Sequence, residues 1–150
     1  DSVFWLSEEG FDATGIDFSK HAIEAAREKK AKKQKPSFYQ MDILHDKIPE
    51  APYAFVFDRG CFHSFDKKKE RKKMARQVHK ILEPGGFWLS LIGNYDDGRL
   101  KEGPPKRTAM EVVEAVEPWF EIITLEQGYF DSNNPEPSKN WICFMRKRNK

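Results

Sequence analysis

The feature that most constrains the fold is a short apolar segment that ends in one carboxylate and passes directly into a helix. This segment is Ala13-Thr14-Gly15-Ile16-Asp17-Phe18-Ser19, and the β-branched Thr14 and Ile16 favour a strand within it. Ser19 stands where a residue would cap the following helix. An apolar stripe at helical spacing then follows, formed by Ala22, Ile23, Ala25 and Ala26. We therefore predict a buried strand over Phe11 to Phe18 that leads into a helix, the repeating unit of α/β proteins.

The rest of the chain alternates between strand and helix patterns and ends in two successive strands. The patterns predict strands over Ser37 to Met41, Tyr53 to Phe57, Phe87 to Ile92, Phe120 to Leu125 and Trp141 to Met145. They predict a helix that closes at Gly10, a helix over Asp66 to Leu82 and a short helix opened by a capping box at Thr108 and Glu111. A tight turn is predicted at Glu83-Pro84-Gly85-Gly86. The second and third strands are apolar enough to be covered on both faces. The order predicts an α/β sandwich with a mostly parallel sheet and a C-terminal antiparallel hairpin.

Length and composition limit the class of protein. The 150 residues, 39% of them hydrophobic, suit one domain over residues 1–150. The 26 basic and 24 acidic residues give a net charge of +2, which argues neither for nor against a nucleic-acid partner. Cys61 and Cys143 lie far apart without metal-ligand spacing, so we expect free thiols, a cytoplasmic location and no metal. No apolar run approaches the roughly 20 residues that span a bilayer, and no membrane partner is expected.

Three aspartates stand at the carboxyl ends of successive predicted strands, where open α/β sheets bind their ligands. Asp17 can accept hydrogen bonds from two ribose hydroxyls, or it can simply begin the next helix. Asp42 can accept from the exocyclic amine of adenine while Ile43 packs on the base, or it can be an ordinary turn former. Asp58 ends the third strand. The set of three points to a nucleotide-like ligand more strongly than any one of them does.

These strand ends form an ordered series that resembles a known family. The series consists of Ala13 to Ser19, Gln40-Met41-Asp42, Phe55 to His63 and Leu82-Glu83-Pro84-Gly85-Gly86. It resembles the motif series of class I S-adenosylmethionine-dependent methyltransferases, and the leading helix with Asp58-Arg59-Gly60 is similar to the thiopurine methyltransferase and tellurite-resistance-type branch. The resemblance implies a Rossmann-like sandwich and methyl transfer from S-adenosylmethionine to a small molecule with a soft nucleophile, such as a thiol or chalcogen.

The resemblance also assigns residues to the cofactor. It places Asp17, with Phe18 and Ser19 beside it, at the ribose, and Asp42 with Ile43 at the adenine. It places Asp58, Arg59 and Gly60 at the methionine end and at the mouth of the substrate pocket. Transfer from a sulfonium is an in-line displacement, so no covalent nucleophile on the protein is needed.

One part of the family pattern has no counterpart in this sequence. The family's first strand and its GxGxG turn are missing, and that strand is central in the family's sheet. Each unsatisfied buried backbone group costs about 1 to 3 kcal/mol, so the total cost for a whole strand would be prohibitive. Because the chain starts at Asp1 and not at Met, we expect a processed, cloned or truncated chain whose missing strand lies upstream. A repaired or swapped sheet is the alternative.

The acceptor side offers fewer signals. His63 can act as a general base toward an oxygen, nitrogen or thiol acceptor near neutral pH, or it can pack on the adjoining helix. We place Phe62, His63 and Tyr95 in the substrate wall, Tyr95 because its loop overlies the ligand face. Cys61 can be a reactive thiol, but burial is the more common state of a free cysteine and is what we expect.

Two further classes of function remain open at this point. The missing glycine loop leaves room for a catalytically silent adenosyl-binding or structural module. Lysine runs at residues 29–35 and 67–73 leave room for an RNA methyltransferase, but they fall on solvated helix faces. The string Asp58-Arg59-Gly60-Cys61 also differs from the Asn/Asp-Pro-Pro-aromatic string of amino-directed enzymes. A small-molecule acceptor and no nucleic-acid partner are therefore expected, and nothing indicates an oligomeric state.

Overall fold

A computed structural model describes residues 2–29, 36–98, 105–131 and 135–149. The chain divides into two compact units, Asp1–Ile48 and Pro49–Lys150, and each is described here by itself. The expectation of one domain over the whole chain stays a prediction. Within the described ranges, no helix has the length and apolar character needed to cross a membrane.

The first unit is a pair of parallel strands with helices before and between them. Its elements are α1 (Ser2–Glu8), β1 (Thr14–Asp17), α2 (Lys20–Lys29) and β2 (Ser37–Gln40). β1 and β2 pair in register from Thr14 opposite Ser37 to Asp17 opposite Gln40. As predicted, α1 closes at Gly10, whose φ is 92°. The predicted continuation of α2 into the lysine run lies outside the described residues.

Close packing around a glycine holds this first unit together. The rings of Phe4 in α1 and Phe38 in β2 lie 5.3 Å apart. A Cβ added at Gly15 would stand 2.9 Å from the Phe38 ring and 3.0 Å from Val3. Contacts that short are repulsive, so the absence of a side chain at Gly15 lets α1 lie directly on the strand pair.

The described part of the second unit has a four-stranded sheet and three helices. Its elements are β3 (Tyr53–Arg59), α3 (Cys61–Ser64), α4 (Lys68–Ile81), β4 (Leu82–Gly93), α5 (Ala109–Val116), β5 (Phe120–Tyr129) and β6 (Lys139–Lys147). The strand order is β3-β4-β6-β5. β3 and β4 are parallel, whereas β6 is antiparallel to both β4 and β5.

The α/β class and the C-terminal hairpin are confirmed. The strand pair of the first unit is parallel, and the sheet of the second unit combines one parallel pairing, β3 with β4, with two antiparallel pairings. Among the described strands, β1 pairs only with β2 and β3 pairs only with β4. The second sheet is mixed because β6 lies between β4 and β5 and is antiparallel to both.

The predicted turn at Glu83 to Gly86 lies inside β4 as a bulge. The register moves from Tyr53 opposite Leu82 to Phe55 opposite Phe87. Gly85 has a φ of 76°, a conformation that favours glycine. The short helix α3 was not predicted, because four residues are too few to show helical periodicity.

β3 also departs from the prediction that it is covered on both faces. Phe55 is 42% exposed. The strand is at the edge of the described sheet, and the described residues do not fully cover its apolar side chains. An apolar strand is typical of a central position, and here composition and position disagree.

The core of the second unit lies between the sheet and the helices. The Trp88 ring on β4 lies 6.0 Å from that of Phe62 and 5.2 Å from that of Phe120. The predicted capping box of α5 is present: the Glu111 amide donates to Thr108 Oγ1 (3.2 Å) and the Thr108 amide donates to Glu111 Oε2 (2.9 Å). This reciprocal pair satisfies two amides that the helix start would otherwise leave without partners.

Candidate functional site

Asp17 ends β1 with an exposed carboxylate that is only half engaged by the protein. Its Oδ1 accepts from the Ser19 amide (2.7 Å), and Ser19 Oγ in turn accepts from the Ala22 amide (3.3 Å) at the start of α2. Ser19 therefore caps the helix, as predicted. Within the described residues, Asp17 Oδ2 has no hydrogen-bond partner, so this oxygen can accept from a ligand hydroxyl.

Asp42 follows β2 at the same end of the strand pair. The Met41 amide donates to the Asp17 carbonyl (2.9 Å), which brings the two strand ends together. Asp42 Oδ1 accepts from the Leu44 amide (2.8 Å) and Oδ2 contacts His45 Nδ1 (2.7 Å). The carboxylate thus forms a turn, the alternative that the sequence left open.

The first unit fits the adenosine part of the expected cofactor. Asp17 presents an acceptor oxygen, Ile43 is half-buried, and Phe18, the next residue after Asp17, is 76% exposed. Gln40 Nε2 donates to the Phe18 carbonyl (3.3 Å) and ties the segment after β1 to β2. An acceptor for a diol beside apolar surface for a flat base is the combination that an adenosine needs.

Asp58 ends β3, and its side chain is used inside the protein. Oδ1 accepts from the amides of Cys61 (2.7 Å) and Phe62 (3.2 Å), and the Ser90 hydroxyl donates to Oδ2. Burial raises the pKa of this carboxyl, although the three hydrogen bonds act in the opposite direction. Both Asp58 oxygens thus have partners within the protein, and the contact of Asp58 with the cofactor stays a prediction.

His63 lies in α3 with its two ring nitrogens in different surroundings. The Gly93 amide donates to Nδ1 (2.7 Å), so Nδ1 holds a lone pair and the proton of the neutral ring is on Nε2. Nε2 lies 3.1 Å from the Cβ that a side chain at Gly60 would add. Gly60 has a φ of 96° at the turn into α3. The absence of a side chain there leaves room for the imidazole.

The predicted role of His63 as a base near neutral pH is opposed by this arrangement. Burial and the nearby positive charge of Arg107 lower the pKa of His63 to about 4. At neutral pH the ring is uncharged, its Nδ1 is occupied and its Nε2 carries a proton. The side chain is therefore built to donate a hydrogen bond at Nε2.

Two buried arginines behind the site were not predicted. Arg107 donates to Asp66 Oδ1 (2.7 Å) and to the Phe65 carbonyl (3.0 Å). Arg71 donates to the same Phe65 carbonyl (2.9 Å) and to Glu111 Oε1 (2.9 Å). Together they fix the segment after α3. Arg71 shares the buried stripe of α4 with Met74 and Val78, and this spacing was the signal that could have found it.

The hairpin end lies against His63 and Arg59. The Phe130 ring meets the His63 ring edge to face at 6.0 Å, and the Arg59 guanidinium lies 5.8 Å from the Phe130 centroid. Tyr95, placed in the substrate wall by the sequence, is exposed, and its amide donates to the Arg107 carbonyl (3.0 Å). Phe62 is 0% exposed and packs on Trp88, and its place in the substrate wall stays a prediction.

The cysteines differ from each other, and one prediction about them is wrong. Cys61 is exposed at the start of α3, not buried as expected, and its amide donates to Asp58. Cys143 is buried on β6, and burial raises its pKa to about 12. Among the residues that the structure describes, no group of three or more His, Cys, Asp or Glu side chains could hold a metal ion.

Comparisons with known proteins agree with the fold and the motifs. A family model described as a methyltransferase domain matches residues 1–86. Thiopurine S-methyltransferase of Vibrio campbellii is 26% identical over 106 residues, which are 71% of this chain and 47% of the relative. The chain thus spans about half the length of this curated relative.

Solved structures share the architecture at low sequence identity. One, described for the conversion of a disulfide bond into a thioacetal group during echinomycin biosynthesis, has a TM-score of 0.81 at 20% identity and covers 95% of this chain and 69% of its own. TehB from Haemophilus influenzae has a TM-score of 0.71 at 17% identity, with 96% of this chain and 52% of its own covered. The matched family model, together with the ordered strand-end motifs, shows that this chain belongs to the methyltransferase domain family, the class I S-adenosylmethionine-dependent methyltransferases.

Proposed function

We propose that the chain contributes to S-adenosylmethionine-dependent methyl transfer onto a small acceptor with a soft nucleophile, a thiolate or a related chalcogen. The curated relative carries an S-methyltransferase name, and one structural neighbour is described for chemistry at sulfur. Both observations support a sulfur-like acceptor. The cytoplasmic location expected from the free thiols stays part of this proposal.

In this proposal the chain's residues bind and orient the reactants. Asp17 Oδ2 accepts from the ribose hydroxyls, and Asp42 and Ile43 receive the adenine. Arg59 and Gly60 contribute the segment that follows β3 at the methionine end. When bound, S-adenosylmethionine supplies an electrophilic methyl group on a sulfonium. The protein's part is then alignment of the acceptor and exclusion of water.

The observation that carries the choice of acceptor is the state of His63. Among the residues predicted to line the acceptor side, His63 is the one suited to remove a proton near neutral pH. Its Nδ1 already accepts from the Gly93 amide, and its pKa is lowered to about 4. An acceptor that arrives already deprotonated needs no base, and a thiol loses its proton far more readily than an amine or an alcohol does.

The test compares two acceptors of the same shape. We would incubate the full chain with methyl-labelled S-adenosylmethionine and either thiophenol or aniline at pH 8. We expect transfer to thiophenol to exceed transfer to aniline by at least about tenfold. A preference for aniline would contradict the proposed acceptor class.

Cofactor binding separates an active enzyme from a silent module. Calorimetric titration with S-adenosylhomocysteine is expected to show one saturable site. Binding without transfer to either acceptor would favour the silent adenosyl-binding module. Absence of binding would contradict the cofactor assignment for the chain.

A further inference from the structure

Four cations form a stripe along the solvent side of α4. Lys69, Lys73, Arg76 and Lys80 stand four, three and four positions apart, and all four are exposed. Side chains at these spacings share one face of a helix, and the set extends over about 16 Å of its length. The buried residues of α4 lie on the opposite face. These four residues are the α4 stripe.

The α4 stripe lacks the acidic partners that neighbouring lysines have. Lys67 pairs with Glu70, and Lys68 pairs with Glu114. Across the ranges that the structure describes, no member of the α4 stripe forms an ion pair with a carboxylate. Like charges three and four residues apart destabilise a helix. An anionic partner would relieve this repulsion.

Arg76 differs from the three lysines because an aromatic ring helps to hold its side chain. Its Cζ lies 5.8 Å from the centroid of the Trp119 ring. Trp119 is half-buried, and its ring also meets that of His79 at 5.3 Å. A guanidinium held in this way can bind a phosphate and also stack on an unpaired base, whereas a lysine acts only as a point charge.

The composition of this surface favours a nucleic acid over other anionic partners. None of the large apolar side chains exposed in the described residues lies on α4, and the apolar side of the helix is buried. A helix that binds a membrane needs its apolar side free. The centre of a protein–protein interface is apolar and poor in lysine. Interfaces with nucleic acids are polar and strongly positive, and most of their hydrogen bonds go to the backbone.

We propose that the α4 stripe binds the phosphate backbone of a single-stranded nucleic acid and that Arg76 also contacts a base. The α4 stripe is on the solvent side of its helix, whereas the residues assigned to methyl transfer stand at strand ends. The nucleic acid is therefore a docking partner and not the methyl acceptor, and its binding goes beyond the proposed function.

Two variants that each remove three positive charges from the region of α4 test this binding. The stripe variant carries Lys69→Gln, Lys73→Gln and Lys80→Gln. The control variant carries Lys67→Gln, Lys68→Gln and Lys72→Gln, the lysines that pair with acidic side chains or act on one electrostatically. Urea unfolding checks that both variants fold.

Fluorescence anisotropy of a labelled oligouridine measures binding to the full chain. For four phosphate contacts, we expect the logarithm of the binding constant to fall with the logarithm of the salt concentration with a slope of about −3. The stripe variant should show a slope of about −1 and bind at least about tenfold more weakly at about 50 mM salt. The control variant should stay within about threefold of the wild type.

Arg76→Lys tests the base contact separately, because this substitution keeps the positive charge. We expect oligouridine to bind about threefold more weakly and poly-glutamate to bind unchanged, since only the first has bases to stack. An unchanged affinity for oligouridine would overturn the base contact.

Three further results would overturn the proposed binding. They are equal losses in the stripe and control variants, no binding of oligouridine by the wild type, and binding of poly-glutamate or phosphatidylserine vesicles that is tighter than that of oligouridine. The last would indicate an acidic protein or a membrane as the partner. Because the anisotropy measurement uses no methyl transfer, its failure and the failure of the proposed function are distinguishable.

Discussion

Asp17 and Asp58 occupy equivalent places in two different units, yet their carboxylates do different work. Both stand at the end of a parallel strand and before a helix. Asp17 is exposed and gives one oxygen to the protein, whereas Asp58 is buried and gives both. The residue at the start of the next helix explains the difference. Ser19 caps α2 with its own hydroxyl, but Gly60 has no side chain, so Asp58 supplies the cap for α3.

In these two places, the strand-end carboxylate keeps an oxygen without a partner in the described residues only where another residue caps the helix. In both places an aspartate follows an apolar strand residue and stands shortly before a helix. The residue at the start of the helix determines whether the aspartate must use its side-chain oxygens to cap the helix. Substitutions at the two aspartates can therefore test the comparison directly.

The largest expected effect is on stability, at Asp58. Asp58→Ala leaves the Cys61 and Phe62 amides and the Ser90 hydroxyl without their acceptor. We expect the free energy of unfolding to fall by about 3 kcal/mol, against less than about 1 kcal/mol for Asp17→Ala. Urea denaturation of the two variants measures both. Equal losses would break the comparison.

The next effect concerns cofactor affinity, at Asp17. Asp17→Asn keeps an oxygen for the Ser19 amide but removes the charge and the second acceptor. We expect S-adenosylhomocysteine to bind about tenfold more weakly, the effect of one lost charged hydrogen bond. The exposed neighbour Asp12, changed to Asn, is the matched control and should bind as the wild type does. Calorimetry that found the two variants alike would remove Asp17 from the site.

The smallest effect is a pH dependence of stability that comes from His63. Its pKa falls from 6.5 to about 4 on folding, so the unfolded chain binds the proton more readily between those values. Stability from this residue is present above pH 6.5 and is lost as the pH falls toward 4.

Asp58 complicates the raw profile, because its raised pKa acts with the opposite sign. The informative quantity is therefore the difference between wild type and His63→Asn, which cannot titrate at this position. We expect the wild type to lose stability relative to the variant as the pH is lowered from 7 to 4. A difference that does not change with pH would contradict the neutral, buried state of His63.

Much of the fold could be predicted because local patterns there agree with the tertiary structure. The capping box at Thr108 and Glu111, the closure at Gly10 and the cap at Ser19 all form as their residues indicate. Strand ends were placed well enough to bring Asp17 and Asp42 together. These features depend on neighbours within a few residues, which a sequence displays directly.

The remaining features depend on contacts between distant residues. The edge position of β3 is set by which strands are present to pair, and its composition suggested a central strand. The state of His63 depends on Gly93, thirty residues away, and on Arg107. Phe62 and Cys61 are adjacent in sequence but have opposite exposures, because the first turn of α3 sends one inward. No local pattern encodes such pairings.

The bulge in β4 also fixes which side chains of that strand face the helices. Between the two paired positions, β3 advances from Tyr53 to Phe55 while β4 advances from Leu82 to Phe87. Because side chains alternate along a strand, an odd advance against an even one reverses the alternation in β4, which places Ser90 opposite Asp58. Removing one residue from Glu83 to Gly86 would set the strand out of phase and turn Leu89 or Leu91 toward that carboxylate. The length of the bulge at Glu83 to Gly86 thus determines which side chain of β4 meets the buried Asp58 carboxylate.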